Sequence, residues 1–312
     1  MTRRFCAFAH AVALTLTASL TSQPARAVEV SFTPVADGVY AYIGDTEGRT
    51  YDNEGLNANI GLLVTSAGAV LIDSGSSYQV AAKLHAAVQK VTTQALKLVI
   101  NTGDQDHRWL GNGYFTEKGI ETLAHADAKA DMKARAGEHM QGLQVLKERL
   151  AGTQPTLPSR FVSAQDTHID MGGTLIELMH RKGGHTPGDT LVWLPQKNVL
   201  FSGDVVYVDR VLGLHPVSDT KAWLDSFSVI DQLKPRTIVP GHGKLTDLAT
   251  AQSQTRDLLL ALRAHMKKAV DDGVDISMAV KSFDAKPFSG LKHAEVWLPQ
   301  LANQTYLEVE RE

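Results

Sequence analysis

The stretch Leu98-Val99-Ile100-Asn101-Thr102-Gly103-Asp104-Gln105-Asp106-His107 decides how this chain is read. It opens as an apolar, β-branched run, the mark of a buried strand, and breaks at Thr102-Gly103 into a polar turn. The turn then sets Asp104, Asp106 and His107 where the strand stops. Asp106 has two readings there. It can cap a helix begun by His107-Arg108-Trp109-Leu110, or it can hold a metal, because Asp serves both purposes. Three later strand ends bear on the choice.

Upstream, residues 28 to about 101 read mostly as strand. Val30-Ser31-Phe32 and Gly38 to Ile43 alternate every second residue, and Asn59 to Val64 and Ala69 to Asp73 flank the turn Thr65-Ser66-Ala67-Gly68 as a hairpin. A helix over about Tyr78 to Thr92 then leads into the opening stretch. Downstream, Met132, Ala136, Met140, Leu143, Leu146 and Leu150 recur at helical steps and predict one helix over 127–150. A Pro-rich loop (Gly152 to Ser159) follows. Strands are expected at Arg160 to Val162, Thr174 to Met179, Asp189 to Leu194, Asn198 to Phe201 and Thr237 to Val239, with a helix over Lys221 to Leu233. The last third reads as helices over 247–270, 276–283 and 294–310.

With 312 residues, 43% of them hydrophobic, the chain can build a sizeable core. Neither a repeat nor a long linker divides it. Arg3 and Arg4, the apolar run Phe5 to Leu20 and the small-x-small motif Ala25-Arg26-Ala27 form a secretory signal, with cleavage expected after Ala27. Residues 28–312 are then one domain, a core over about 28–246 and a helical part over about 247–312. Losing 1–27 leaves 28 basic against 34 acidic residues, a net charge of −6. That balance argues against a nucleic-acid partner, which needs a basic face. No later segment can span a membrane. The expected location is the periplasm. Cys6, the single cysteine, leaves with the signal, so any metal site must use His and carboxylates.

Three more strand ends carry such residues beside glycines: His185 in Gly183-Gly184-His185-Thr186-Pro187-Gly188-Asp189, Asp204 in Ser202-Gly203-Asp204, and His242 in Pro240-Gly241-His242-Gly243. Glycine beside a ligand lets the backbone turn sharply. One such histidine is usually a loop residue; four such loops are hard to explain that way. With Asp106 and His107 they make a donor set suited to zinc or iron.

This order of motifs resembles the metallo-β-lactamase fold superfamily. The resemblance implies an α/β fold, a four-layer αββα sandwich with a helical C-terminal extension, and one or two metal ions, zinc with iron as the alternative. It assigns Asp106, His107 and His242 to a second ion, Asp204 to a bridge, His185 to a first ion, and Asp73 to bracing the site. The superfamily normally shows H-x-H-x-D-H; here Thr102 and Asp104 stand at the two leading histidines. The first ion would then have at best Asp104, His185 and Asp204. The stretch Asn101 to Asn112 more narrowly resembles the quinoprotein relay system zinc metallohydrolases, which implies a link to a periplasmic quinoprotein dehydrogenase.

The expected function is an exported hydrolase acting on an ester, thioester, amide or related bond of a small molecule, with Asp106 orienting the attacking water. The alternatives are a mononuclear iron oxygenase acting on sulfur compounds and a non-catalytic metal-binding accessory protein. His125, His180 and His265 are read as structural. Arg108, Tyr207, Arg210 and His215 are pocket candidates.

Overall fold

The computed structural model describes residues 28–312; the expected signal and its cleavage site lie outside the described residues. Strands β1 (Thr33–Ala36), β2 (Val39–Tyr42), β3 (Ile60–Thr65), β4 (Gly68–Ile72), β5 (Leu96–Ile100), β6 (Glu121–His125) and β7 (Arg160–Val162) make one sheet in that order. The second sheet runs β12 (Thr237–Val239), β11 (Val199–Phe201), β10 (Thr190–Leu194), β9 (Leu175–His180), β8 (Asp166–Asp170). The helices are α1 (Tyr78–Val91), α2 (Asp106–Trp109), α3 (Asn112–Glu117), α4 (Ala128–Gly142), α5 (Thr220–Leu233), α6 (Leu248–Ala251), α7 (Asp257–Asp271), α8 (Ile276–Ser282) and α9 (Ala294–Val309).

The sheets face each other through one apolar layer in which Ile72, Leu98 and Ile100 share a cluster with Leu178, Val192 and Phe201. The outer face of the first sheet is covered by α1, whose Val80, Leu84 and Val88 cluster with Leu62, Leu71 and Val99. Helices α5, α7 and α9 cover the second sheet with Trp223, Phe227, Leu259 and Leu298. With both faces covered, β4 is buried at every residue, which is why it reads as an unbroken apolar run. The fold is the expected αββα sandwich with a helical C-terminal part, and no helix among the described residues is long and apolar enough to cross a membrane.

Local structure departs from the sequence reading in several places, among them α3 and β6, for which no element was expected. The first strand is Thr33–Ala36, after Val30-Ser31-Phe32 rather than on it. The short polar-edged β8 carried no apolar run to announce it. The helix expected over 127–150 ends at Gly142 and continues as a 3₁₀ segment to Leu150, kinked at Lys147 with φ of 53°. Leu143, Leu146 and Leu150 are still buried there, because a three-residue repeat serves a 3₁₀ turn as well as an α-helix. The helix expected over 247–270 is divided by a π-helical segment, Gln252–Arg256. That segment presents Thr255, whose hydroxyl donates to Tyr207 O (2.6 Å) and accepts from Tyr207 N (3.0 Å). The C-terminal helices thereby anchor the loop after β11.

Candidate metal centre

Every ligand-type motif ends a strand at the same edge of the sandwich. Asp73 follows β4, the Asn101–His107 stretch follows β5, His185 lies between β9 and β10, Asp204 follows β11, and His242 follows β12. Parallel pairing of β4 with β5 and of β11 with β12 brings these loops side by side.

Asp204 stands at the middle. His107 Nε2 lies 3.1 Å from its Oδ2, His242 Nε2 lies 3.3 Å from its Oδ1, and His185 Nδ1 lies 3.7 Å from Oδ2. One ligand atom each from His107, Asp204 and His242 falls within 4.8 Å of the others, and all three residues are buried. His242 Nδ1 donates to the carbonyl of Asn57 at 2.9 Å, which leaves Nε2 with its lone pair on the Asp204 side. The Nδ1 of His185 is buried without any partner. Burial pushes His242 down to about 3 and His185 well below the ordinary imidazole value, so both stay neutral at pH 7. Gly241 is required beside them: a Cβ there would fall 2.5 Å from Asp204 Oδ1.

Two arginines set the charge of the centre. Arg108 is buried and grips Asp204 through Nε (3.1 Å) and Nη2 (2.6 Å), while its Nη1 donates to Asp73 at 2.7 Å. Asp73, held at φ of 72°, also accepts from Thr102 N at 2.7 Å and from the Thr102 hydroxyl. Burial pushes Asp204 up, but Arg108, then His107 and His185, outweigh it and hold the carboxyl well below its usual range. Arg49 reaches in from the loop between β2 and β3, donating to Asp106 and lying 3.0 Å from His107 Nδ1. Burial raises Asp106 too, and Arg49 with His107 outweighs it, so this carboxylate also stays ionised. Asp106 does not cap α2: the cap position is Gln105, which makes no side-chain capping bond, and Asp106 is the first helical residue, its carboxylate accepting the His107 N–H at 2.7 Å.

Asp104, expected as a ligand of a first ion, is not brought into this group. Its Oδ1 accepts from Gly188 N at 3.2 Å and its Oδ2 is buried without a hydrogen bond, beside Asp131 and Asp189. Thr102 is committed to Asp73. The donors therefore fit one ion on His107, Asp204 and His242, with His185 beside them; the histidine pair that would complete a further site is absent. His125 and His180 stack 3.6 Å apart and, with Asp127, form a separate cluster in which His180 bonds Asp127 (3.0 Å) and the Asp189 carbonyl (2.9 Å). His265 bonds the Ala279 carbonyl.

A pocket of about 240 Å³ opens over the centre, lined by His107, His185, Tyr207, Arg210 and His215 among others. Tyr207 stacks on His242 with centroids 4.8 Å apart, and its hydroxyl is 3.3 Å from His185 Nε2. Burial and the charge of Asp204 raise the phenol well above its ordinary value, so it keeps its proton. Sequence reasoning missed Arg49 and the α9 residues Trp297, Gln300 and Gln304 in this wall. Nothing local distinguishes them, since only folding carries them to the site.

The sequence pattern of the metallo-beta-lactamase superfamily matches residues 53–242. The chain belongs to that superfamily. Characterised relatives include the type 2 metallo-beta-lactamase of Bacillus sp. (strain 170), 29% identical over 65% of this chain and 73% of the relative. That of Bacteroides fragilis is 24% identical over 69% of this chain and 80% of the relative. Among solved structures, DIM-1 metallo-beta-lactamase superposes with a TM-score of 0.61 at 19% identity, covering 75% of this chain and 99% of that one. A metallo-beta-lactamase from Pontibacter korlensis gives 0.58 at 22% identity, covering 71% and 95%. The superfamily match spans all the strand-end motifs, from before Asp73 to His242. Helices α7, α8 and α9 lie beyond it.

Proposed function

We propose that this protein is a metal-dependent hydrolase acting on an ester, thioester, amide or related bond of a small molecule. The observation that carries this is the buried group His107, Asp204 and His242, all within the superfamily segment, of which His107 lines the pocket together with the neighbouring His185. Those three residues would hold the ion, with His185 adjacent; zinc suits the nitrogen-rich set, and iron is the competing ion. When bound, the ion supplies Lewis acidity at the bond to be broken.

The chain's own groups divide the remaining work. Asp106, ionised and buried, orients the attacking water and accepts its hydrogen bond. Tyr207, which keeps its proton at the pocket floor, is a hydrogen-bond donor for the charge that develops on the substrate oxygen. Asp73 and Arg108 hold Asp204 in place from behind. The pocket walls limit access of bulk water.

The test is metal content and hydrolysis by the purified protein and its His242→Ala variant. The reading requires about one equivalent of bound metal in the parent and its loss, with activity, in the variant. Unchanged metal content would overturn it. A non-catalytic metal-binding role is the second reading, favoured by Arg49, which already engages Asp106 and His107. Metal-replete protein that cleaves no ester, thioester or lactam supports that view.

Export to the periplasm is part of this proposal and rests on the residue pattern of 1–27. Sequencing the mature N-terminus tests it, with Val28 expected. The association with a quinoprotein dehydrogenase rests on the Asn101–Asn112 resemblance alone, and co-purification tests it.

A further inference from the structure

Away from the candidate centre, His125, Asp127 and His180 bring together one ligand atom each, every one within 4.8 Å of the other two. His125 ends β6 of the first sheet, His180 ends β9 of the second, and Asp127 stands just before α4. The three meet at a seam where both sheets and a helix come together. His125 and His180 are only 5% and 4% exposed, whereas the Asp127 side chain is 56% exposed. The group is closed on the protein side and reaches solvent through its carboxylate.

The hydrogen bonds fix where the nitrogen lone pairs lie. His180 Nδ1 donates to the Asp189 carbonyl at 2.9 Å, since a carbonyl only accepts. In the neutral ring Nε2 then carries a lone pair, and it faces Asp127 Oδ2 at 3.0 Å. His125 Nδ1 accepts the Asp127 N–H across a long 3.3 Å, so it too presents a lone pair, 3.7 Å from the same Oδ2. Burial, then His180, pushes His125 below the ordinary imidazole value, which keeps that lone pair free of a proton. The rings are nearly parallel, with centroids 3.6 Å apart and planes at 18°. Two lone pairs and a carboxylate oxygen thus converge with no donor between them. That arrangement is repulsive unless a positive charge lies in the middle.

The chain itself supplies no such charge. Among the described residues no Lys or Arg pairs with Asp127; its ion-pairing partners are the two rings themselves. Nor is the carboxylate spent on capping, because Asp127 holds the cap position of α4 without accepting a backbone N–H there. On the far side His125 Nε2 is buried without a partner, so hydrogen bonding does not account for a histidine at this position. A proton on His180 satisfies one lone pair. A divalent cation satisfies both lone pairs and the carboxylate at once.

We propose that His125 Nδ1, His180 Nε2 and the Asp127 carboxylate form a separate, structural metal site that takes a borderline divalent cation such as Zn²⁺. Two imidazoles and one carboxylate suit that class of ion, whereas Mg²⁺ and Ca²⁺ take oxygen ligands. The bond from His180 Nδ1 to the Asp189 carbonyl is the kind of outer contact that orients a metal-bound histidine. The ion would tie β6, β9 and the start of α4 together, and through Asp189 it would brace the loop that carries His185. With three donors and an exposed carboxylate, this site fills after the buried centre. It is read as an additional equivalent on titration, not in the metal retained through purification. The inference does not rest on the hydrolase reading.

The experiment is isothermal titration with Zn²⁺ at pH 8, together with thermal unfolding, on tag-free protein. The proteins are the parent, Asp127→Ala, His242→Ala and the double variant. His242→Ala should still bind about one equivalent, and excess Zn²⁺ should raise its Tm by about 2–4 °C. The double variant should bind at least about tenfold more weakly and lose that rise. Mg²⁺ at the same concentration should do neither. Because Asp127 is exposed, its replacement leaves the core intact. No Zn²⁺ binding by His242→Ala, or equal binding with and without Asp127, overturns the proposal and leaves an imidazolium–carboxylate pair. Should His242→Ala fail to fold, the parent and Asp127→Ala decide: they should differ by one equivalent, and equal stoichiometry overturns the site. Should His242→Ala bind as much Zn²⁺ as the parent, the candidate centre falls, and the comparison of parent with Asp127→Ala still judges this site by itself.

Discussion

Two groups of buried carboxylates flank the turn after β5, and they solve the same electrostatic problem in opposite ways. On one side, Asp106 and Asp204 are each matched by a guanidinium, and both stay ionised well below the usual carboxylate range. On the other, Asp104 and Asp189 lie together with no arginine between them. Burial, then the charge of Asp189, pushes Asp104 well up; burial pushes Asp189 up to about 7 despite hydrogen bonds from Thr186. Asp131 of the same group is paired with Arg135 at 3.1 Å. A carboxylate that must keep its proton is a poor ligand for a cation, whereas one held ionised is ready for it. The difference explains why two acids separated by a single residue, Asp104 and Asp106, meet such different surroundings.

The largest effect should come from removing the guanidinium that serves the ionised group. Arg108→Met leaves Asp73 and Asp204 buried without their partner, and stability should fall by about 3–5 kcal/mol. Chemical denaturation measures this, and a loss below about 1 kcal/mol would show that the pair is dispensable. Next comes Arg49, a cation set directly against Asp106 and His107. Arg49→Ala should tighten metal binding by about tenfold, because a like charge beside the ion is removed. Competition with a chromophoric chelator reads this out; weaker binding would mean that Arg49 aligns the ligands instead.

The protonated group yields a pH signature. Folded Asp189 keeps its proton up to about pH 7, whereas an ordinary Asp releases it near 3.8. The stability associated with this group is fully present below about pH 4 and is lost as pH rises through about 7. Asp189→Asn should remove that loss, by at most about 1.4 kcal/mol per pH unit across the window. Parallel pH profiles of thermal stability for parent and variant would contradict the assignment. The smallest expected change is at Asp104: replacing it with Ala should leave metal stoichiometry unaltered, while Asp204→Ala, which removes one of the three residues that would hold the ion, should lower it. Equal metal loss in both variants would erase the distinction between the two groups.

Much of the fold was legible because it follows from local pattern. Fully covered strands read as apolar runs, Ser77 caps α1 by accepting from Val80, and the Gly-flanked His and Asp motifs each end a strand. Helix interruptions were less legible. The π segment before α7 keeps the apolar period while turning Thr255 onto the Tyr207 backbone, and periodicity does not register that displacement.

The sequence by itself determined most of the elements, the superfamily resemblance and the set of residues able to bind a cation. Those depend on side-chain type and on spacing between near neighbours. Tertiary structure alone decided which charges meet. Arg49 reaches Asp106 across 57 positions, Arg108 reaches Asp204 across 96, and Trp297 comes from α9 to lie beneath Arg210. Whether a buried carboxylate faces a guanidinium or another acid is a long-range contact, and it sets the ionisation on which any chemistry at this centre depends.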